Sequence, residues 1–349
     1  MRQIQNFLLL SLVLILIIGC SSGRRTVSIN SVRPADISVN NEINSILILN
    51  RTKYSKDIIG VIEGILTGEL PEEDKAGIQS FANELKNQIR NSDRFTAKVA
   101  SENLEGNSLT QAFPDQLSWA LINKFCRQYN TDGVIAIEIF DSDFIITDGK
   151  RKVTKENDDG EGVEVDEYYA EGISNITIGI RFYDPIDRSI VDQDIFRKTN
   201  TWNASGLSKN EAIASLINKT DAIRNLSGQV GSNYAFKIAP MPVRISRSFT
   251  GKSKKSPVLE QGSIYADVSN WEKAIEVWKT GIASAPIKEA GFLTQNIAIA
   301  YEVLGDLDNA RKWAERSYTQ YGNKNARSYI SLLENRIFNE QLAGEQMGN

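Results

Sequence analysis

Paired carboxylates are the residues of this sequence that invite a catalytic reading. Asp141 and Asp143 end an apolar run, and Asp184, Asp187, Asp192 and Asp194 flank a proline-containing turn. Two carboxyls act as acid and base on a glycosidic bond when their environments split their pKa values. Nothing in the spacing supports such a split, and Asp at turns and strand ends commonly serves the backbone. The 349 residues contain no histidine, which excludes Ser-His-Asp triads, Cys-His dyads and imidazole metal sites. Cys20 and Cys126 are the two cysteines, too few for a disulfide framework or a four-cysteine zinc site. Asn157-Asp158-Asp159-Gly160-Glu161-Gly162 suggests a calcium loop. With Gly162 at the sixth position, however, Tyr168 falls where a bidentate Glu is required. Gly60, Gly64 and Gly68 lack the Lys-Ser/Thr of a phosphate loop, and their spacing suits close helix packing. No metal and no cofactor are expected, and the chain reads as a non-enzyme.

The balance of 40 basic and 44 acidic side chains gives a net charge of −4, and 41% of residues are apolar. That is ordinary globular composition with chain enough for one to three domains. Slight acidity argues against nucleic acid as a partner.

The N-terminus carries an address. Arg2 precedes the apolar run of residues 7–18, which ends in Gly19-Cys20. The run is short of the roughly 20 residues of a membrane span. It resembles a bacterial lipoprotein signal, in which residues 1–19 are removed and Cys20 receives the acyl chains, palmitate among them. Ile17 and Ile18 depart from the usual pattern; Gly19, Cys20 and the small residues Ser21-Ser22-Gly23 fit it. With no Asp after Cys20, the resemblance implies a lipid anchor in the outer membrane, on the periplasmic face. Each acyl chain adds about 0.8 kcal/mol per buried methylene.

Residues 20–42 are polar and without a clear period, and read as a tether. An α/β domain is expected over 43–250. Ser45-Ile46-Leu47-Ile48-Leu49 is a buried strand. Residues 57–70 carry Ile58, Ile59, Ile62, Ile65 and Leu66 at helix-like spacing, closed by Pro71. Ile78, Phe81, Ala82, Leu85 and Ile89 recur at three and four and predict a helix over 72–90. A second helix is predicted over 115–129, and Cys126 within it reads as a small core residue. Strands follow at 95–100, 133–140, 144–147, 168–183 and 189–201, with a solvated hairpin tip or mobile loop at 148–167 and a helix at 211–226. The order implies an α/β (α+β) domain with a mixed sheet. Ser92-Asp93-Arg94-Phe95, Thr131-Asp132-Gly133-Val134 and Tyr183-Asp184-Pro185 resemble the periplasmic α/β module of the TolB N-terminal domain and curli-secretion lipoproteins. The layout is similar to a lipoprotein family of unknown function that joins this module to helical repeats. That resemblance brings no catalytic residues and implies a binding or assembly part.

Residues 251–258 form a basic, breaker-rich linker. Lys252, Lys254 and Lys255 in it could also touch anionic headgroups, but a linker is the favoured reading. From 259 to 340 an all-α domain is expected. Ile264-Tyr265-Ala266 aligns with Ala300-Tyr301-Glu302 at an offset of 36 residues. Tyr301, Leu304-Gly305 and Ala310 resemble a tetratricopeptide repeat, followed by a capping helix over 325–338. The repeat implies a concave inner face that reads an extended partner. Tyr265, Gln295, Asn296 and Glu302 are the candidate binding residues. The function expected is that of a membrane-anchored, non-catalytic interaction or assembly factor of the cell envelope, with an unidentified envelope protein as partner. The alternative is a carboxylate-dependent hydrolase acting on envelope glycans.

Overall fold

The computed structural model describes residues 23–52, 60–62, 65–67, 71–104, 112–157 and 160–348. Cys20 and the apolar leader lie outside them, as do Asp158 and Asp159. In chain order the elements begin with β1 (Arg24–Arg33), β2 (Ser45–Asn50), β3 (Gly60–Ile62), β4 (Ile65–Thr67), α1 (Pro71–Ile89), β5 (Thr96–Asn103) and α2 (Trp119–Tyr129). Then come β6 (Gly133–Glu156), β7 (Gly162–Asp184), β8 (Ser189–Gly206), α3 (Lys209–Ala214), α4 (Lys219–Ile238) and β9 (Met241–Thr250). Helices α5 (Pro257–Asp267), α6 (Trp271–Gly281), α7 (Ile287–Val303), α8 (Leu307–Thr319) and α9 (Lys324–Gln346) end the chain. A mixed-sheet α/β domain is therefore followed by an all-helical region. By its contacts the chain divides into a sheet unit, Pro34–Met241 with Gly344–Asn349, and a helical unit, the chain up to Arg33 with Pro242–Ala343.

In the sheet unit, β2 runs parallel to β5 and β6, while β4 and β7 pair antiparallel with β6, and β8 with β7. Residues 134–139 and 46–49 are buried on both faces, as the interior of a covered sheet requires. The two-residue period then sorts them. Ile46, Ile48, Ile135 and Ile137 join one core with α1 and α4, whereas Leu47, Leu49, Val134 and Ala136 join another with α2. The apolar face of α1 predicted from spacing, Ile78 to Ile89, is buried throughout. Ser118 caps α2 by accepting from the Leu121 N–H. Cys126 is buried there, and burial pushes its thiol pKa up.

Several local expectations need correction. The described parts of residues 57–70 are not helical: β3 and β4 form a short antiparallel pair, with Leu66 opposite Ile146 of β6. The 148–167 segment is mostly strand, because β6 and β7 stay paired out to Glu156 opposite Gly162. Opposite charges face each other along it, Lys150 to Asp166 at 2.8 Å and Arg151 to Glu167 at 2.8 Å. The helix expected over 211–226 is two helices, because the Asn218 side chain caps a new one by accepting from the Asp221 N–H. The polar tether contains β1, which pairs with β9. The linker is a closed turn: Ser253 bridges Ser256 and the Gly251 N–H donates to the Gly23 carbonyl at 2.6 Å.

Candidate functional site

Three of the carboxylates first considered for chemistry have structural work. Asp184 is buried and accepts from the backbone N–H groups of Ile186 and Asp187, which closes the β7–β8 turn. Asp192 and Asp194 both pair with Lys237 at 2.8 Å. Another buried acid of the sheet unit, Glu138, sits between Arg51 at 3.2 Å and Arg181 at 2.7 Å and accepts from the Tyr183 hydroxyl at 2.7 Å. Burial pushes the Glu138 pKa up, against the pull of Tyr183 and both arginines. The same arginines reach the carbonyls of Asp115 and Pro114, so the cluster pins the segment that leads into α2. Among the described residues no three His, Cys, Asp or Glu side chains are grouped to hold a metal ion.

The helical unit holds a different kind of site. Its successive helices pack against one another around Leu259, Trp278, Leu293 and Ile297. Strand β9 lies along α7. Its alternation (Val243, Ile245, Arg247 and Phe249 more buried than Pro242, Arg244, Ser246 and Ser248) sends the odd-numbered side chains inward. Phe249 meets Trp271 and Trp278 edge-on, with ring centroids 5.9 and 6.0 Å apart. Arg247 makes a two-pronged ion pair with Glu302, Nε to Oε2 at 2.8 Å and Nη2 to Oε1 at 2.9 Å. Glu302 also takes Arg336 at 3.1 Å and accepts from the Tyr329 hydroxyl at 2.7 Å. Burial raises the Tyr329 pKa far above its ordinary value, and the neighbouring Glu302 carboxylate adds to the shift. The Asn296 carboxamide accepts from the Thr250 N–H at 3.0 Å and donates to the Thr250 carbonyl at 2.8 Å.

The four candidate binding residues therefore part company. Asn296 and Glu302, 1% and 0% exposed, do read an extended segment, but that segment is the chain's own β9. As groove residues open to a partner they are corrected: their polar atoms are already bonded inside the unit. Tyr265 is 37% exposed on α5 and does not line the cavity described next. Gln295 does line it, and accepts from Asn323 at 2.6 Å.

That cavity, of about 510 Å³, opens between β9, α7 and α9. It falls in the range of ligand pockets, roughly 300–1,000 Å³. Phe292, Ile299 and Leu332 supply apolar wall; Gln295, Asn325 and Ser328 supply amides and a hydroxyl. Arg24 and Lys252 stand at it, exposed and unpaired with any carboxylate among the described residues, and no Asp or Glu lines it. Arg24 falls in the stretch that reads as a tether and β9 at the end of the expected α/β domain, so neither stands out from the sequence as part of a helical site. The alternation Val243-Arg244-Ile245-Ser246-Arg247-Ser248-Phe249 was the available signal for the strand.

Comparison with known proteins adds little chemistry. No curated protein sequence matches the chain. A dodecamer of PelC from Paraburkholderia phytofirmans aligns at 12% identity with a TM-score of 0.24, covering 61% of this chain and 99% of PelC. A neuraminyllactose-binding hemagglutinin homolog from Helicobacter pylori aligns at 15% identity with a TM-score of 0.26, covering 57% of this chain and 84% of that one. Residues 260–335 match DUF6340, a domain of unknown function. Residues 43–249, more than half of the chain, match DUF8603, likewise a domain of unknown function, and the chain belongs to that family.

Proposed function

We propose that this protein is a lipid-anchored lipoprotein of the outer membrane, facing the periplasm, and a non-catalytic interaction or assembly factor of the cell envelope. The anchor reading rests on the apolar run that ends in Gly19-Cys20. The repeat pattern around Tyr301, Leu304-Gly305 and Ala310 supports a tetratricopeptide-like reading of the helices, whose task is to hold extended chain.

One observation carries the binding reading. Helix α7 grips one extended segment, β9, through Asn296 and Glu302, and the cavity beside it holds two cations that have no carboxylate partner among the described residues, with no acid in its lining. A surface of that kind gains little from catalysis and much from a partner that brings acceptors and negative charge. Anchorage adds effective concentration, so a weak contact between two membrane-bound proteins suffices.

The test is cross-linking in intact envelopes followed by affinity purification, with wild type against Gln295→Glu. The substitution keeps the acceptor for Asn323 and places a negative charge in the cavity. Loss of a specific cross-linked protein at unchanged Tm supports the reading. An identical cross-link pattern overturns it.

A further inference from the structure

We propose that the cavity takes a short, extended, acidic segment of a partner protein, which adds as a strand to the open edge of β9. The proposal rests on the interaction reading above and names the chemistry of the partner.

Three hydrogen bonds fix which edge of β9 is open. The Gly251 N–H donates to the Gly23 carbonyl at 2.6 Å, so residue 251, and by alternation residues 249 and 247, face β1. Thr250 faces the other way, since both its N–H and its carbonyl are bonded to the Asn296 carboxamide. Asn296 there does what the peptide unit of a neighbouring strand would do. The two-residue period then puts the N–H and C=O of Ser248 and Ser246 on the same edge as those of Thr250, and both serines line the cavity. The Ser246 carbonyl is partly occupied by Arg247 Nη1 at 3.3 Å, so Ser248 offers the open donor and acceptor. An edge strand with free backbone groups is a template for another strand.

The surroundings select the occupant. Phe292, Ile299 and Leu332 can receive one set of alternate side chains. The other set meets Arg24 and Lys252, while Arg247 is already neutralised by Glu302. Charge complementarity therefore favours a segment that alternates apolar and acidic residues. A cavity of about 510 Å³ admits only a short stretch of chain, so selectivity must come from the ladder and the two cations together.

The experiment uses the full-length protein in detergent and three fluorescein-labelled octapeptides, read by anisotropy. One alternates valine and glutamate, the second is the same peptide N-methylated at every residue, and the third alternates valine and lysine. The acidic peptide is expected to bind. N-methylation, which removes every backbone donor, should weaken it at least tenfold, and the basic peptide should bind at least tenfold more weakly. Arg24→Glu with Lys252→Glu, both at exposed positions, should cost the acidic peptide at least tenfold with Tm unchanged. No binding of the acidic peptide, or equal binding of its N-methylated form, overturns strand addition. If the Gln295-dependent cross-link in envelopes survives that failure, the interaction reading stands and only the mode of binding falls. If the cross-link is insensitive to Gln295→Glu while the acidic peptide still binds, the cavity is a peptide site and the proposed envelope role is what fails.

Discussion

Arg247 of β9 and Glu302 of α7 form a two-pronged ion pair whose carboxylate is wholly buried, with both contacts at or below 2.9 Å. Removing one partner of such a pair strands the other charge away from water, which costs about 3–5 kcal/mol. Glu302→Ala should therefore lose more than Arg247→Ala, because it also takes one carboxylate partner from Arg336, which keeps Glu340, and removes the acceptor of the Tyr329 hydroxyl. In a double-mutant cycle read by urea denaturation, the two losses should fall short of additivity by about 1 kcal/mol or more. Additive losses would mean that the pair does not hold the strand on the helix.

The backbones of α1 and α4 approach each other closely at Gly231. A Cβ built there would lie 2.4 Å from the Phe81 carbonyl oxygen and 3.1 Å from the Leu85 nitrogen. Backbone cannot yield as a flexible side chain can, so Gly231→Ala should destabilise by about 1–3 kcal/mol. Gly228→Ala, whose nearest neighbour is the Ser80 hydroxyl at 3.2 Å, should cost clearly less. Equal thermal melts for the two variants would refute the close approach.

Asp74, buried at the start of α1, accepts from the Ser142 hydroxyl at 2.6 Å. Burial raises its pKa from 3.8 to about 6, with Asp141 and Glu73 adding to the shift and Ser142 and Lys219 opposing it. Between those two values the folded chain keeps a proton that the unfolded chain has released. Its contribution to stability is thus greatest below pH 3.8 and declines as the pH rises to about 6. At pH 7.5 the ionised carboxylate costs at most about 3 kcal/mol. Asp74→Asn should raise Tm at pH 7.5 and lose that advantage near pH 4. A gain independent of pH would show that ionisation is not its source.

Cys20→Ala should abolish incorporation of radiolabelled palmitate and leave a precursor longer than the processed wild type. Absence of label in the wild type would remove the lipoprotein reading and, with it, the argument from membrane co-localisation.

What local sequence encodes, it encoded here. The spacing of Ile78, Phe81, Ala82, Leu85 and Ile89 defines the buried face of α1 because a helix brings every third or fourth residue to one side. The apolar run at 133–139 becomes a central strand because only a sheet covered on both faces can use it. The repeat resemblance likewise assigned Asn296 and Glu302 to an inner helix, now α7. Whether its inner side met water or chain was decided by β9, some 50 residues away, and helix periodicity carries no information about a distant occupant. The same reason explains β1. Its residues read as a polar tether because its partner, β9, lies more than 200 residues later, and alternation at half-burial leaves a weak trace. Residues 57–70 carried helix-like spacing, yet β4 there pairs with β6 at Ile146; a nearby unpaired strand edge outweighed local period. Tertiary pairing, which only the folded chain supplies, turned the inner face of the helices into a seat for the protein's own strand and left the cavity beside it.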